Sequence, residues 1–208
     1  DAEKLVIDYE LKNNFTDGIR RLNYLKTYMS YSSRYEDIVG VADSVAEIYL
    51  YKGVEYCSKQ DYNNGILNLN KADSIVIITD NKFIRQKVKE AKILANTEML
   101  NVYISVFKKA IKEKLYGLAE NYLVVAYDYY LRNKEYIKDS LLIYNNCVLL
   151  IDELYNRIYN ELDIISYNKY NDILLRYGRL GNIIDKFNLY DRYSYKMNIL
   201  KNKIIVYR

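Results

Sequence analysis

Small and apolar side chains recur along the chain at offsets of 3, 7 and 10 residues. The clearest case is the stretch 59–75, where Tyr62, Gly65, Leu69 and Ala72 have this spacing. On an α-helix these offsets fall on one face. Gly65 and Ala72 are small enough to let a second helix approach closely, with Leu69 filling the space between them. The pattern therefore predicts a helix that packs against a neighbour at short distance.

The preceding segment, 46–59, predicts that neighbour. Tyr49, Gly53 and Tyr56 are separated by four and three residues, which again makes one helical stripe with a small residue in it. The dipeptide "QD" between the two segments is a short turn. We therefore expect an antiparallel helical hairpin with Gly53 opposite Gly65 at the crossing.

Stripes that start at residues 15, 62, 116 and 170 are separated by 47, 54 and 54 residues, and Tyr35, Ile38, Ala42 and Val45 also have the same spacing. Regular recurrence of one helical unit is typical of a stacked array. The stripes that start at residues 15, 116 and 170 consist of Phe15, Gly18, Leu22 and Leu25; of Tyr116, Ala119, Leu123 and Ala126; and, as a looser match, of Tyr170, Ile173, Tyr177 and Leu180.

Residues 46–79 resemble the tetratricopeptide repeat. That family has an aromatic, a small and an aromatic residue on its first helix, as at Tyr49, Gly53 and Tyr56. Its second helix begins with an aromatic residue followed by small, large and small residues, which is the pattern of the stripe that starts at Tyr62. Residues 100–133 resemble it more loosely. The interval of 54 residues here exceeds the ~34 of the family. The resemblance implies an all-α protein, a tetratricopeptide-like α-solenoid of stacked antiparallel hairpins with extended helices.

The pattern predicts nine helices in a single repeat domain, 1–208, whose hairpins cover about 1–32, 33–79, 80–133 and 134–208. A break is expected at 177–182, which contains two of the seven glycines. The predicted helices are 2–12, 15–31, 34–59, 62–79, 82–114, 116–132, 135–164, 169–178 and 182–203.

The composition agrees with an all-α fold. Proline is absent, whereas a chain of ordinary composition would have about 5%, so the main helix breaker is missing. With only seven glycines, the sequence also lacks the turn residues that many tight β-hairpins need. No apolar run approaches the 18 residues of a transmembrane helix, so we expect no membrane span.

The residue types exclude several kinds of chemistry. The chain has no histidine, which rules out histidine-dependent catalysis and histidine metal sites. Its glycines are scattered and form no phosphate-binding loop. Cys57 and Cys147 are 90 residues apart, so we expect buried free thiols and neither a disulfide framework nor a zinc site. We predict no catalytic, cofactor-binding or metal-binding residues, and therefore no enzyme.

Two features leave alternatives open. The 26 tyrosines fit either an AT-rich base composition or a tyrosine-rich binding surface, with clusters at 126–136 and 188–196. Some of the rings at 127, 129 and 130 are expected to be exposed or to meet another chain. Residues 82–114 carry nine Lys or Arg against three Glu, which fits either a solvated face or a contact with phosphates or an acidic partner.

We therefore predict a non-enzymatic scaffold or adaptor that binds a protein or peptide partner. Stacked hairpins form an extended concave face, and in the tetratricopeptide family the first helix of each pair lines it. The resemblance assigns to this surface Leu50, Val54, Ile104, Lys108, Lys112, Tyr155 and Ile158. The alternative is an extracytoplasmic ligand- or glycan-binding or sensing module of a larger exported protein, for example in a bacterial periplasm or at a cell surface. Nucleic-acid binding is not expected.

Overall fold

The computed structural model describes residues 2–162 and 170–206, and 89% of them are helical. No strand occurs in these two ranges, so the prediction of an all-α fold is confirmed. The nine helices that the described residues form are α1 (Ala2–Asn13), α2 (Phe15–Met29), α3 (Ser33–Ser58), α4 (Tyr62–Thr79), α5 (Lys82–Lys112), α6 (Tyr116–Asn133), α7 (Ser140–Leu162), α8 (Tyr170–Lys186) and α9 (Tyr190–Val206).

The chain folds into two compact units. The first unit comprises Asp1–Met99 together with Glu135–Lys138, and the second comprises Leu100–Lys134 and Asp139–Arg208. Helix α5 therefore contributes residues to both units. The repeat type and the four hairpins of a single solenoid domain stay predictions.

In the first unit, α3 packs along α4, and α1 packs against α2 and α3. The α3–α4 crossing is close because neither helix has a side chain there: a β-carbon on Gly53 would lie 2.7 Å from Cγ of Leu69, and one on Gly65 would lie 2.3 Å from Sγ of Cys57. The α1–α2 hairpin repeats this arrangement at Gly18, where a β-carbon would lie 2.7 Å from the backbone nitrogen of Leu11.

The core of the first unit is continuous across α1 to α4 and the first half of α5. Its buried residues include Ile7, Leu11, Leu22, Ile38, Ala42, Val45, Leu69, Ala72, Ile75, Val76, Ile84 and Val88. The predicted stripe on α4 belongs to this core, because Gly65, Leu69 and Ala72 are all buried.

In the second unit, α7 packs against α6, α8 and α9, and α8 packs against α9. Tyr193 of α9 and Phe107 are the largest fully buried side chains among the described residues of this unit. The Tyr193 hydroxyl donates to Oδ1 of Asp152 at 3.1 Å, and the Lys196 ammonium donates to the same oxygen at 2.7 Å. Burial, followed by the Asp152 carboxylate, raises the pKa of the Tyr193 hydroxyl.

The predicted break at 177–182 is wrong, because α8 continues through it to Lys186. Isolated glycines weaken a helix by about 1 kcal/mol but do not end it when the buried face continues. Leu180, Ile183 and Ile184 continue that face. The helix ends before Asn188, which has a positive φ of 55° and so provides the left-handed residue typical of a helix C-terminus.

The predicted start of the seventh helix at residue 135 is also wrong, because α7 begins at Ser140. Oδ1 of Asp139 accepts from the backbone N–H of Leu142 at 3.0 Å, which fixes the helix start at an N-cap. The preceding residues are held elsewhere, since Ile137 is buried and Tyr136 bonds to Lys92 in the first unit. The predicted helix ends at 164 and 169 lie outside the described residues.

Candidate functional site

The first unit contains a cleft lined by four lysines and one glutamate, which we call the lysine cleft. Its volume is about 370 Å³, and α1, α3 and α4 all contribute to its walls. The charged residues are Lys12, Lys52, Glu55, Lys59 and Lys71, and the other lining residues are Val45, Ile48, Tyr49, Tyr56 and Asn68.

Tyr49 positions the walls of the lysine cleft. Its hydroxyl donates to the backbone carbonyl of Leu11 at 2.7 Å and so joins α3 to the end of α1. Burial raises the pKa of this hydroxyl. Its ring meets the Phe15 ring edge to face, with 5.7 Å between the centroids. The close crossing at Gly53 and Gly65 then fixes α4 beside α3.

Two of the four lysines are paired with carboxylates. Lys12 bonds to Asp8 at 2.6 Å, and Lys59 bonds to Glu55 at 2.5 Å. The bond to Lys59 lowers the pKa of the Glu55 carboxyl. Both are exposed pairs one helical turn apart, and such pairs contribute little to stability.

The other two lysines, Lys52 and Lys71, have no carboxylate partner among the described residues. The Lys71 ammonium lies instead over two aromatic rings, 5.5 Å from the centroid of Phe15 and 5.1 Å from that of Tyr49. The face of an aromatic ring attracts a cation but leaves its N–H donors free. The lysine cleft therefore presents two cations that can take a carboxylate from another molecule.

Apolar surface adjoins these charges. Ile48 and Tyr56 line the lysine cleft and are each 38% exposed. Exposed apolar side chains beside unpaired cations can contact a ligand that combines apolar and acidic groups. The arrangement is chemically suited to binding a peptide.

The seven residues that the resemblance assigns to a binding surface divide into two groups. Leu50, Ile104, Tyr155 and Ile158 are buried, so that they support the surface from below and cannot touch a partner directly. Val54, Lys108 and Lys112 are exposed. Leu50 and Val54 lie in the first unit and the other five in the second. That they bind a partner stays a prediction.

The second unit has its own cleft, of about 280 Å³, between α6, α7 and α8. Ile158 lines it, as do three arginines. Each of these arginines is already paired with a carboxylate, so each attracts an external anion less strongly than an unpaired arginine would. The pairs are Arg157–Glu161, Arg176–Glu161, Arg176–Asp172 and Arg179–Glu120.

The tyrosine cluster at 126–136 is packed within the chain. Tyr127 meets the Phe187 ring with centroids 5.0 Å apart, and Tyr129 meets Tyr103 with centroids 5.6 Å apart. Tyr127, Tyr129 and Tyr130 are all half-buried, so none of these rings is fully exposed, and a contact with another chain stays a prediction. In the cluster at 188–196, Tyr195 is exposed.

The sequence pattern did not point to the lysine cleft, because its lysines come from three different helices and their ends. One local signal exists at the end of α3, where Lys52, Glu55 and the C-cap residue Lys59 have offsets of 3 and 7, which are typical of one helical face. The contribution of Lys12 and Lys71 depends on tertiary packing alone.

Three further properties of the described residues bear on the site. Within 2–162 and 170–206, no group of three or more Cys, Asp or Glu side chains is placed to hold a metal ion. None of the helices in these ranges combines the length and the apolar character needed to cross a membrane. Both cysteines are free thiols, and burial raises the pKa of Cys147 to about 12.

Comparison with known proteins finds no match: no family model, no curated protein and no solved structure is similar to this chain. The resemblance of residues 46–79 and 100–133 to the tetratricopeptide repeat therefore stays a prediction.

Proposed function

We propose that this chain is a non-enzymatic scaffold that binds a peptide segment of another protein, and that the lysine cleft is a contact surface. One observation carries this proposal. Lys52 and Lys71 lack a carboxylate partner among the described residues, and they line the same cleft as the exposed side chains of Ile48 and Tyr56. A segment with an acidic residue next to an apolar one complements both features.

The physical setting favours binding at this place. The volume of about 370 Å³ suits a few side chains and lies within the range of small binding sites. The glycine crossing of α3 and α4 and the Tyr49 bond to α1 hold the walls in place. A rigid cleft loses less conformational entropy on binding, which leaves more of the contact energy as affinity.

The residues assigned by the tetratricopeptide resemblance stay part of the proposal, within each unit by itself. Val54 of the first unit and Lys108 and Lys112 of the second are exposed, so that these three can contact a partner without rearrangement.

The test is photo-crosslinking from the lysine cleft. A photoreactive phenylalanine analogue replaces Ile48 in the full chain, in cells that make the protein naturally, and crosslinked proteins are identified by mass spectrometry. The same experiment is repeated with Lys52→Glu and Lys71→Glu. The control is Lys109→Glu with Lys201→Glu, which makes the same charge change at two exposed lysines outside the cleft.

We expect a crosslinked protein with the natural lysines and with the control, and its loss with the cleft variant. Circular dichroism checks that the variants are folded, since surface substitutions usually change stability by no more than about 0.5 kcal/mol. A crosslink that persists in the cleft variant would contradict the role of the two lysines. The absence of any crosslinked protein would contradict the proposal as a whole.

A further inference from the structure

The first half of α5 carries basic residues at offsets of 3, 7 and 10, which we call the cationic ladder. Its members are Lys82, Arg85, Lys89 and Lys92. These offsets lie on one face of a helix, and ten residues of helix rise about 15 Å. The ladder belongs to the first unit and shares no residue with the lysine cleft.

The start of the ladder is fixed by a hydrogen-bonded turn. Asp80 has a left-handed backbone with φ of 58°, and the Asn81 side-chain oxygen accepts from the N–H of Ile84 at 3.1 Å. The Asn81 amide in turn donates to Asp43 of α3 at 2.7 Å, and the Thr79 hydroxyl donates to the other Asp43 oxygen at 2.6 Å. The first turn of α5 is therefore anchored to α3.

The other end of the ladder is buried. The Lys92 side chain is 7% exposed, and its ammonium donates to Asp73 at 2.7 Å and to the Tyr136 hydroxyl at 2.8 Å. Burial alone lowers the pKa of Lys92, but the bonds to Asp73 and Tyr136 outweigh it and raise the pKa overall. Lys92 therefore stays charged at neutral pH and neutralises Asp73.

The remaining three cations of the ladder are exposed. Lys82, Arg85 and Lys89 have no carboxylate partner among the described residues, and together they line a cleft of about 520 Å³. The other lining residues are Ile77, Gln86, Glu135, Tyr136 and Asp73, whose charge Lys92 already neutralises. The cleft thus presents three unpaired positive charges against one free carboxylate.

We propose that the cationic ladder is a second docking surface, and that it binds an acidic α-helix of a partner protein. Side chains three and four residues apart face the same side of a helix, so a partner helix with Asp or Glu at that spacing places its carboxylates about 4.5 and 6 Å apart along its axis. This matches the rise between the ladder's own residues, and the exposed Ile77 adds apolar contact.

The aromatic rings at this surface argue against a single-stranded nucleic acid. Bases bind such surfaces by stacking on free aromatic faces. Here the Lys87 ammonium lies over the Phe83 ring at 4.1 Å from its centroid, and the Lys92 ammonium lies over the Tyr136 ring at 4.2 Å, so that a cation competes with a base for each ring. The Glu135 carboxylate in the cleft also repels a uniformly charged phosphate chain, whereas a protein helix can offer it a basic residue.

The test measures the affinity of defined probes for the full chain by fluorescence anisotropy. The first probe is a labelled peptide of about 20 residues, long enough to populate a helix, with Glu at alternating three- and four-residue spacing. The second has the same composition in scrambled order. The third is a single-stranded oligonucleotide of the same net charge. Each is measured at about 50 and about 200 mM salt.

Two triple variants are compared. Lys82→Gln, Arg85→Gln and Lys89→Gln together remove the three exposed charges of the ladder. Lys109→Gln, Lys114→Gln and Lys201→Gln remove the same charge from exposed positions in the second unit. All six residues are exposed, so that both proteins should fold, and circular dichroism verifies this.

We expect the patterned peptide to bind more tightly than the scrambled one and than the oligonucleotide. Each exposed ion pair contributes a factor of about two to five, so the ladder variant should lose about tenfold or more, and the control less than about twofold. Equal binding of the two peptides, tighter binding of the oligonucleotide, or an equal loss in the control would each overturn the proposal. None of these outcomes bears on the lysine cleft, which all the proteins retain.

Discussion

Three of the four glycines in the first unit lie where helices cross, whereas the three glycines in the second unit have room for a β-carbon. A β-carbon on Gly18, Gly53 or Gly65 would come within 3 Å of a neighbouring helix. For Gly178 of the second unit no atom lies within 4 Å, and for Gly181 the nearest is 3.7 Å away. The second unit instead fills its interior with large rings such as Tyr193.

The difference shows that the same residue type serves two purposes in one chain. At a crossing, glycine is needed because any side chain would push the backbones apart, and the surrounding core cannot relax freely. On an open helix face it only weakens the helix. Helix spacing in the first unit is therefore set by backbone proximity, and in the second unit by side-chain volume.

The two units also differ in how deeply they bury charge. The Lys92–Asp73 pair of the first unit has side-chain exposures of 7% and 23%, whereas the Lys196–Asp152 pair of the second has 42% and 35%. Water screens the second pair and not the first, so that breaking the first should be far more costly.

The largest effect is therefore predicted for Asp73→Asn compared with Asp152→Asn. The first change leaves a buried ammonium without its carboxylate and should lower the free energy of unfolding by about 3 kcal/mol. The second should cost about 1 kcal/mol or less. Urea unfolding followed by circular dichroism measures both, and hydrogen exchange assigns each loss to a unit. Similar losses in the two variants would show that the burial difference does not matter.

A smaller difference is predicted for the glycines. Gly53→Ala should destabilise by about 1 to 3 kcal/mol, because its methyl group meets the buried Leu69 side chain. Gly178→Ala should stabilise by up to about 1 kcal/mol, because alanine favours the helix and has free space. Thermal unfolding of the two single variants gives the comparison. If Gly53→Ala were as stable as the natural chain, the crossing would be looser than described.

The smallest effect on stability is predicted for Lys108→Glu with Lys112→Glu in the second unit. Both lysines are exposed, so each reversal should change the free energy of unfolding by no more than about 0.5 kcal/mol. If these two lysines bind the partner, capture of that partner by the purified chain should nevertheless fall, while Lys109→Glu with Lys201→Glu leaves it unchanged. Unaltered capture by the 108/112 variant would remove these two lysines from the binding surface.

Much of the fold could be predicted because helix periodicity is a local property. The stripe of Gly65, Leu69 and Ala72 indicated both a helix and its buried face, and Gly53 indicated the crossing partner. The start of α7 could not be predicted in the same way, because Tyr136 leaves the helical pattern to bond with Lys92, which lies 44 residues earlier. That bond has no signature in the local sequence.

The binding residues were harder to predict than the helices. A position on the first helix of a repeat can face a groove or a neighbouring hairpin, and the apolar pattern is the same in both cases. Four of the seven assigned residues turned out to be buried for this reason. The lysine cleft was missed because Lys12, Lys52 and Lys71 meet only after three helices have packed together.

The return of Glu135–Lys138 to the first unit has a consequence for the order in which the protein is made. A ribosome adds about 5 to 20 residues per second from the N-terminus, so all of α6 is synthesised before Tyr136 is available to Lys92. Until then the Lys92 ammonium has Asp73 but lacks its second hydrogen-bond partner. The first unit therefore cannot be completed during translation of its own first 99 residues, and a fragment cut at Met99 would lack a part of its structure.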